Sequence, residues 1–236
     1  MSRHIYIADC RYYEDINRAF GDGRTILPSV CCSSLAAPVS CHPDMVLWPA
    51  TAGVVVCAPE VYAEYKEMLS PFGIKLVQGM SRLSARYPAD IAYNVLCVGN
   101  TAFALWNKTD RQICRLAEKQ GVSRITVAQG YARCSTLPVG DGIISADPSI
   151  CHAAKSAGLK VLTVSPGHIL LPGYDYGFIG GASGLFEDDT VAFFGDPDTH
   201  PEGLFIRDFI KKQGFKLLDV PKRPLVDIGT ILRIDL

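Results

Sequence analysis

"LVDIGTILRIDL", residues 225–236, is a β-rich run at the C-terminal end of the sequence, and no strand follows it to serve as its partner. The partner it can take lies at the opposite end. "HIYIADC", from His4, already reads as the middle strand of a unit, and nothing ahead of it could supply that unit's first strand. Four further apolar runs open in the same way: "GVVVCAPE" from Gly53, "TAFALWNK" from Thr101, "GIISADPS" from Gly142 and "TVAFFGDPD" from Thr190. Each of these four follows its own β-rich segment, "DMVLWPATAG", "IAYNVLCVG", "ARCSTLPVG" and "GFIGGASGLF". The first copy therefore lacks a strand and the C-terminus has one to spare. Residues starting the middle strands (Ile5, Val54, Ala102, Ile143, Val191) are spaced by 49, 48, 41 and 48 positions, and the wrap from Val191 through Leu236 to Ile5 is 50. A regular period of this size marks a repeat architecture.

After each middle strand comes an amphipathic stretch, then a second β-rich run: "RTILPS", "IKLVQG", "ITVAQG", "VLTVSPG" and "FKLLDV". In "NKTDRQICRLAEKQG", Ile113, Leu116 and Ala117 fall at i, i+3 and i+4, the spacing of one helix face. Phe205, Ile206, Phe209 and Ile210 form the matching stripe in the last copy. Gly73, Gly121, Gly158 and Gly214 stand where a left-handed residue ends a helix. The unit is thus strand–strand–helix–strand. An open array of such units needs polar caps at both ends, and neither end has one. The sequence predicts one domain over residues 1–236, a five-fold pseudosymmetric α/β propeller of ββαβ units closed by the C-terminal strand. A doubly wound sheet would leave the last strand unpaired, and no Gly-x-Gly-x-x-Gly follows the first strand.

Composition narrows the partners. The net charge is −1, with 23 Lys and Arg against 24 Asp and Glu, so no basic footprint for nucleic acid is expected. No apolar run reaches the roughly 20 residues that span a bilayer, and "MSRHIYIADC" turns polar too early for a signal peptide. The expectation is a cytoplasmic protein without nucleic-acid or membrane partners and without a cofactor. Nine cysteines lie scattered with no Cys-x-x-Cys pair, which favours buried thiols over a disulfide or zinc framework. Cys31, Cys32, Cys41 and His42 leave a metal site open.

The architecture and several motifs resemble the pentein superfamily of guanidino-group-modifying enzymes: arginine deiminases, amidinotransferases and dimethylarginine dimethylaminohydrolases. "AYNVL", Ala92 to Leu96, stands where the family carries Gly-Gly-Asp-Val-Leu, so Asn94 replaces an Asp. After Gly130 the chain reads Tyr131, Ala132, Arg133, Cys134, and Ala132 stands at the family's catalytic His. Val226-Asp227 matches the dipeptide before the family's nucleophile, yet no cysteine follows Cys151. "YGFIGGASG" and "DIGTILRI" resemble an uncharacterised bacterial pentein-like group. The resemblance implies an axial pocket, and the departures imply that the usual thiol and imidazole chemistry is not run.

Strand alternation puts Cys134 on the side of Ala132, facing the axis, and sends Arg133 the other way. Cys134 is the candidate nucleophile for a hydrolase or transferase of altered chemistry. Asn94, Arg133, Asp141, Tyr174, Asp175, Tyr176 and Asp227 are the candidates for holding a small polar or cationic guanidino or amino ligand, and a non-enzymatic interaction scaffold is the third reading. Asp147 and Asp196 precede prolines at helix starts and read as caps, with Asp9 and Asn107 in corresponding places. Gly180 and Gly181 serve either crowded ring packing or a ligand.

Overall fold

The computed structural model describes residues 4–236. Within them fifteen strands form five three-stranded sheets. Each sheet has an inner strand, an antiparallel middle strand and an outer strand parallel to the middle one. The inner strands are β3 (Leu47–Thr51), β6 (Leu96–Val98), β9 (Thr136–Val139), β12 (Ser183–Glu187) and β15 (Leu232–Asp235). Their middle partners are β4 (Val54–Cys57), β7 (Thr101–Ala104), β10 (Gly142–Ser145), β13 (Thr190–Phe193) and β1 (His4–Ala8). The outer strands are β5 (Lys75–Gln78), β8 (Ser123–Thr126), β11 (Lys160–Thr163), β14 (Lys216–Leu218) and β2 (Ile26–Pro28).

The closure expected from the sequence is present. β15 pairs antiparallel with β1 in the register His4↔Asp235, Ile5↔Ile234, Tyr6↔Arg233 and Ile7↔Leu232. With Ile5, Ile7, Leu232 and Ile234 all buried, a slip of one residue would turn these apolar side chains to the wrong face. The closing segment is shorter than the twelve-residue run suggests. Residues 225–231 form a loop, because Gly229 and Thr230 adopt positive φ (66° and 72°) and interrupt the extended backbone.

Each middle and outer strand pair is bridged by a helix: α1 (Tyr13–Phe20), α2 (Tyr62–Leu69), α3 (Arg111–Lys119), α4 (Pro148–Ser156) and α5 (Gly203–Lys212). Gly73, Gly121, Gly158 and Gly214 all take positive φ where the sequence places helix stops. Helix α3 buries Ile113 and Ala117 and leaves Leu116 at the edge. Helix α5 buries Ile206 and Ile210, but Phe205 stands 64% exposed, one position off the stripe.

The capping assignments hold in part. Asp147 accepts from the backbone N–H of Ile150 and caps α4. Asp196 caps only a 3₁₀ turn, Pro197–Thr199, ahead of α5. In the third unit the cap is Asp110 rather than Asn107. Its buried carboxylate accepts from the N–H groups of Gln112, Met80 and Ser81 and so ties two units together. Among the described residues no helix is long and apolar enough to cross a membrane.

Candidate active or binding site on the ring axis

Two or three residues ahead of each inner strand, the chain reaches the axis: Asp44 before β3, Asn94 before β6, Cys134 before β9, Gly181 before β12 and Thr230 before β15. Hydrogen bonds run around the axis through all five. The Asn94 amide donates to the Asp44 carbonyl (3.2 Å) and to Cys134 Sγ (2.9 Å), while its Oδ1 accepts from the N–H groups of Arg133 and Cys134. Gly181 N–H donates to the Cys134 carbonyl, and the Gly181 carbonyl accepts from the N–H groups of Ile228 and Thr230. The Asp44 N–H, directed at the Gly229 carbonyl (3.4 Å), completes the circuit. A closed circuit of this kind leaves few polar backbone groups unpaired where five loops meet.

Glycine is required at two of these places by space alone. A Cβ on Gly180 would lie 2.4–2.6 Å from the carbonyl oxygens of Arg133, Cys134 and Thr136. One on Gly181 would fall 1.9 Å from Asp227 Oδ1. Ring packing therefore accounts for both.

Beside this circuit lies a cavity of about 130 Å³, with Cys134, His42 and Asp227 in its lining and walls formed by Tyr131, Tyr174, Tyr176 and Phe178. Asp227 is buried and fixed by the N–H groups of Phe178 (2.8 Å) and Gly229 (3.0 Å). Burial raises its carboxyl pKa, and His42 works against that rise. The His42 ring stands between two carboxylates, with Nδ1 3.7 Å from Asp227 and Nε2 3.8 Å from Asp9. Burial lowers its pKa despite both acids, and Nε2 has no hydrogen-bond partner. Asp9 is itself held by Arg11 through its side chain and backbone N–H.

Cys134 donates its S–H to Asp44 Oδ2 at 2.9 Å. Burial pushes the Asp44 carboxyl up to about 7, only partly offset by that bond. Burial and then the Asp44 charge push the Cys134 thiol well above 9, so it rests as a neutral thiol. Asp44 Oδ1 has no hydrogen-bond partner.

Of the residues singled out in the sequence, Cys134, Asn94, Tyr174, Tyr176 and Asp227 come together here. Arg133 extends away from this cavity, as alternation requires. It bonds the Thr136 carbonyl and Thr230 Oγ1 instead of forming an ion pair. Asp141 sits in the exposed β9–β10 turn, paired with Lys160 at 3.1 Å. Asp175 is exposed between Tyr174 and Tyr176, two half-exposed rings at the cavity rim, and is not itself part of the lining. Asp44 carries no signal in the sequence reading, and His42 and Asp9, expected as a metal ligand and a cap, stand at the axis instead. All three lie on loops that meet only when the ring closes, although the position of Asp44 just before an inner strand matches that of Asn94 and Cys134.

The cysteines depart from expectation. Cys31 and Cys41 form a disulfide across a separation of 10 residues, and Cys10 Sγ lies 3.3 Å from Cys31 Sγ. The loop folds back on itself through the Cys32 N–H to Ser40 carbonyl bond, which brings distant thiols together without a Cys-x-x-Cys spacing. Cys32 points into the core and His42 into the axial cavity, so neither joins this cluster.

A family model described as "Family of unknown function (DUF6873)" matches residues 7–232. The chain belongs to that family. No curated protein matches it in sequence. Among solved structures, a dimethylarginine dimethylaminohydrolase adduct with S-methyl-L-thiocitrulline superposes with a TM-score of 0.55 at 12% identity, over 92% of this chain and 91% of that one. SxtG, an amidinotransferase from Microseira wollei in the saxitoxin biosynthetic pathway, gives 0.56 at 12%, over 95% and 78%. ArgZ, a cyanobacterial arginine dihydrolase, gives 0.58 at 9%, over 93% of this chain but 37% of that one. These structural neighbours are pentein superfamily members, and at such identities the likeness establishes the pentein fold of this DUF6873 chain.

Proposed function

We propose that this DUF6873 protein binds a small cationic amine or guanidine in the axial cavity, between Asp227 and the tyrosine walls. One observation carries the reading: Asp227, which lines the cavity, and Asp44, bonded to the lining thiol of Cys134, are buried carboxylates with no Lys or Arg ion pair to either among the described residues. Burying carboxylates without a cation is costly. Asp44 Oδ1, which has no hydrogen-bond partner, supports the same reading. Four aromatic rings around a cation would add cation–π attraction. The structural neighbours include an arginine dihydrolase and an amidinotransferase, which favours a guanidino ligand.

Thermal unfolding in the presence of arginine, agmatine and the neutral citrulline tests this. A ligand at 100 times its Kd stabilises by about 2.7 kcal/mol, and the cations should raise Tm while citrulline does not. Asp227→Asn should remove the shift. Equal effects of citrulline and arginine, or no shift from either cation, would overturn the proposal.

A second reading, a hydrolase or transferase working through Cys134, is favoured by a thiol that both lines the cavity and bonds a carboxylate. It requires Cys134 to become a thiolate when ligand is bound. Iodoacetamide labelling across pH separates the two readings. The binding reading expects Cys134 to react more slowly than a free thiol below pH 9, with or without agmatine; selective labelling below pH 7 would favour catalysis.

A further inference from the structure

The opposite end of the axis holds a second, larger cavity of about 390 Å³, to which all five inner strands contribute: Leu47, Cys97, Pro138, Leu185 and Leu232 among its walls. Arg133 enters it from the loop before β9. Two of the five N–H groups of its guanidinium are accounted for, by the Thr136 carbonyl (3.1 Å) and Thr230 Oγ1 (2.7 Å). Both acceptors are neutral, and among the described residues no carboxylate lies within ion-pair distance of Arg133. The acids at the cavity mouth are engaged elsewhere: Asp188 and Asp235 pair with Arg233 at 2.8 and 2.6 Å. A guanidinium between largely apolar walls, whose nearest counter-charge is Asp44 beyond ion-pair distance, gains from an anion bound directly to it. Burial pulls the Arg133 pKa down.

A second donor points to the same chemistry. Trp48 also lines this cavity, is 3% exposed, and its indole N–H faces only the Cys97 sulfur, a weak acceptor. Thr230, whose hydroxyl holds Arg133, is a β-branched residue at φ 72°, an unusual conformation that fixes the guanidinium in place. The interior thus offers donors in want of a strong acceptor, one of them cationic, and apolar walls.

We propose that this cavity is a binding site for a small organic monocarboxylate, its carboxylate on Arg133 and its apolar body against Trp48, Leu185 and Leu232. A guanidinium matches a carboxylate with two parallel hydrogen bonds. Arg133 is the lining cation without an ion pair, since Asp188 and Asp235 hold Arg233, and these acids at the mouth select a monoanion over a phosphate dianion. The volume lies within the range of small-molecule sites, about 300–1,000 Å³.

Trp48 provides the readout, since the only other tryptophan, Trp106, is bonded to the Ile125 carbonyl under Arg124, away from this cavity. Titrations of Trp emission with phenylacetate and 4-methylpentanoate should saturate with a Kd of roughly 10 µM to 1 mM. Phenylacetamide, of the same shape but neutral, should bind at least about tenfold more weakly, because it lacks the charge-assisted bonds. Arg133→Gln should lose carboxylate binding by a similar factor. Leu185→Trp keeps the cation and fills the cavity, so it should also abolish phenylacetate binding, followed here by calorimetric titration because the added indole alters the emission, and it decides the matter if Arg133→Gln does not fold. Asp227→Asn should leave this titration unchanged, which separates it from the cation site. No saturable change with either acid, equal binding of the amide, or full binding by folded Leu185→Trp would each overturn the proposal.

Discussion

Gly181→Ala tests how firmly the axis is built. The added methyl would sit 1.9 Å from Asp227 Oδ1 and 2.3 Å from its Cγ, well inside any tolerable contact. The main chain at Gly181 cannot retreat easily, since its N–H donates to Cys134 and its carbonyl accepts from Ile228 and Thr230. The Asp227 carboxyl must move instead, giving up its bonds from Phe178 and Gly229. Each buried bond broken costs about 1–3 kcal/mol, and overpacking adds about 1–3 kcal/mol. The expected loss is about 3–9 kcal/mol. In a chain of this length each kcal/mol lowers Tm by about 2–4 °C, so a fall of roughly 6 °C or more is expected. Urea unfolding followed by circular dichroism measures the loss. Pairing the change with Asp227→Ala removes the obstructing carboxyl, and the double variant should lose less than the two single losses combined by at least about 1 kcal/mol. A Gly181→Ala protein within about 1 kcal/mol of the parent, or strictly additive losses, would refute the reasoning.

Stability should fall as pH rises from about 4 to about 7. The native Asp44 carboxyl, raised to about 7, binds a proton that the unfolded chain has released, so the stabilisation is complete at low pH and lost through the folded pKa. Its contribution is of order 4 kcal/mol, and Asp227, shifted in the same direction, adds to the slope; Asp44→Asn should flatten it in urea titrations at several pH values. Cation affinity should move the opposite way, strengthening between pH 6 and 8 as Asp44 ionises, which calorimetric titration of agmatine would show as roughly a tenfold gain per pH unit at most. Cys41→Ser should redirect the disulfide to Cys10–Cys31, whose sulfurs are already 3.3 Å apart, and peptide mapping without reductant would reveal free thiols instead if that proximity is inconsequential.

The ring was legible because its evidence is local and periodic. Each helix stop is a glycine whose backbone freedom the turn requires, and the surplus C-terminal strand has a single vacancy to fill. The site was legible only where a residue sits on an inner strand or its approach, as with Cys134, Asn94 and Asp227. Asp175 and Tyr174 share an exposed loop, and both tyrosines line the rim of the cavity while Asp175 does not, a difference that alternation along an irregular loop does not reveal. His42 reads as a metal ligand beside Cys41, and Asp44 goes unremarked, since sequence adjacency to Cys41 conceals that the loop splits. Its thiol joins Cys31 while the next three residues turn to the axis.

The pairing of His4 with Asp235 spans a separation of 231 residues, and this has a consequence for biosynthesis. Strand β1 is translated long before its antiparallel neighbour β15, with the other four blades between them. Until β15 emerges the nascent chain exposes an unpaired edge of Ile5, Tyr6 and Ile7, the kind of edge that invites aggregation. Four blades can assemble before that point, but the fifth must wait for β15, so a translation product truncated ahead of it would carry an open seam.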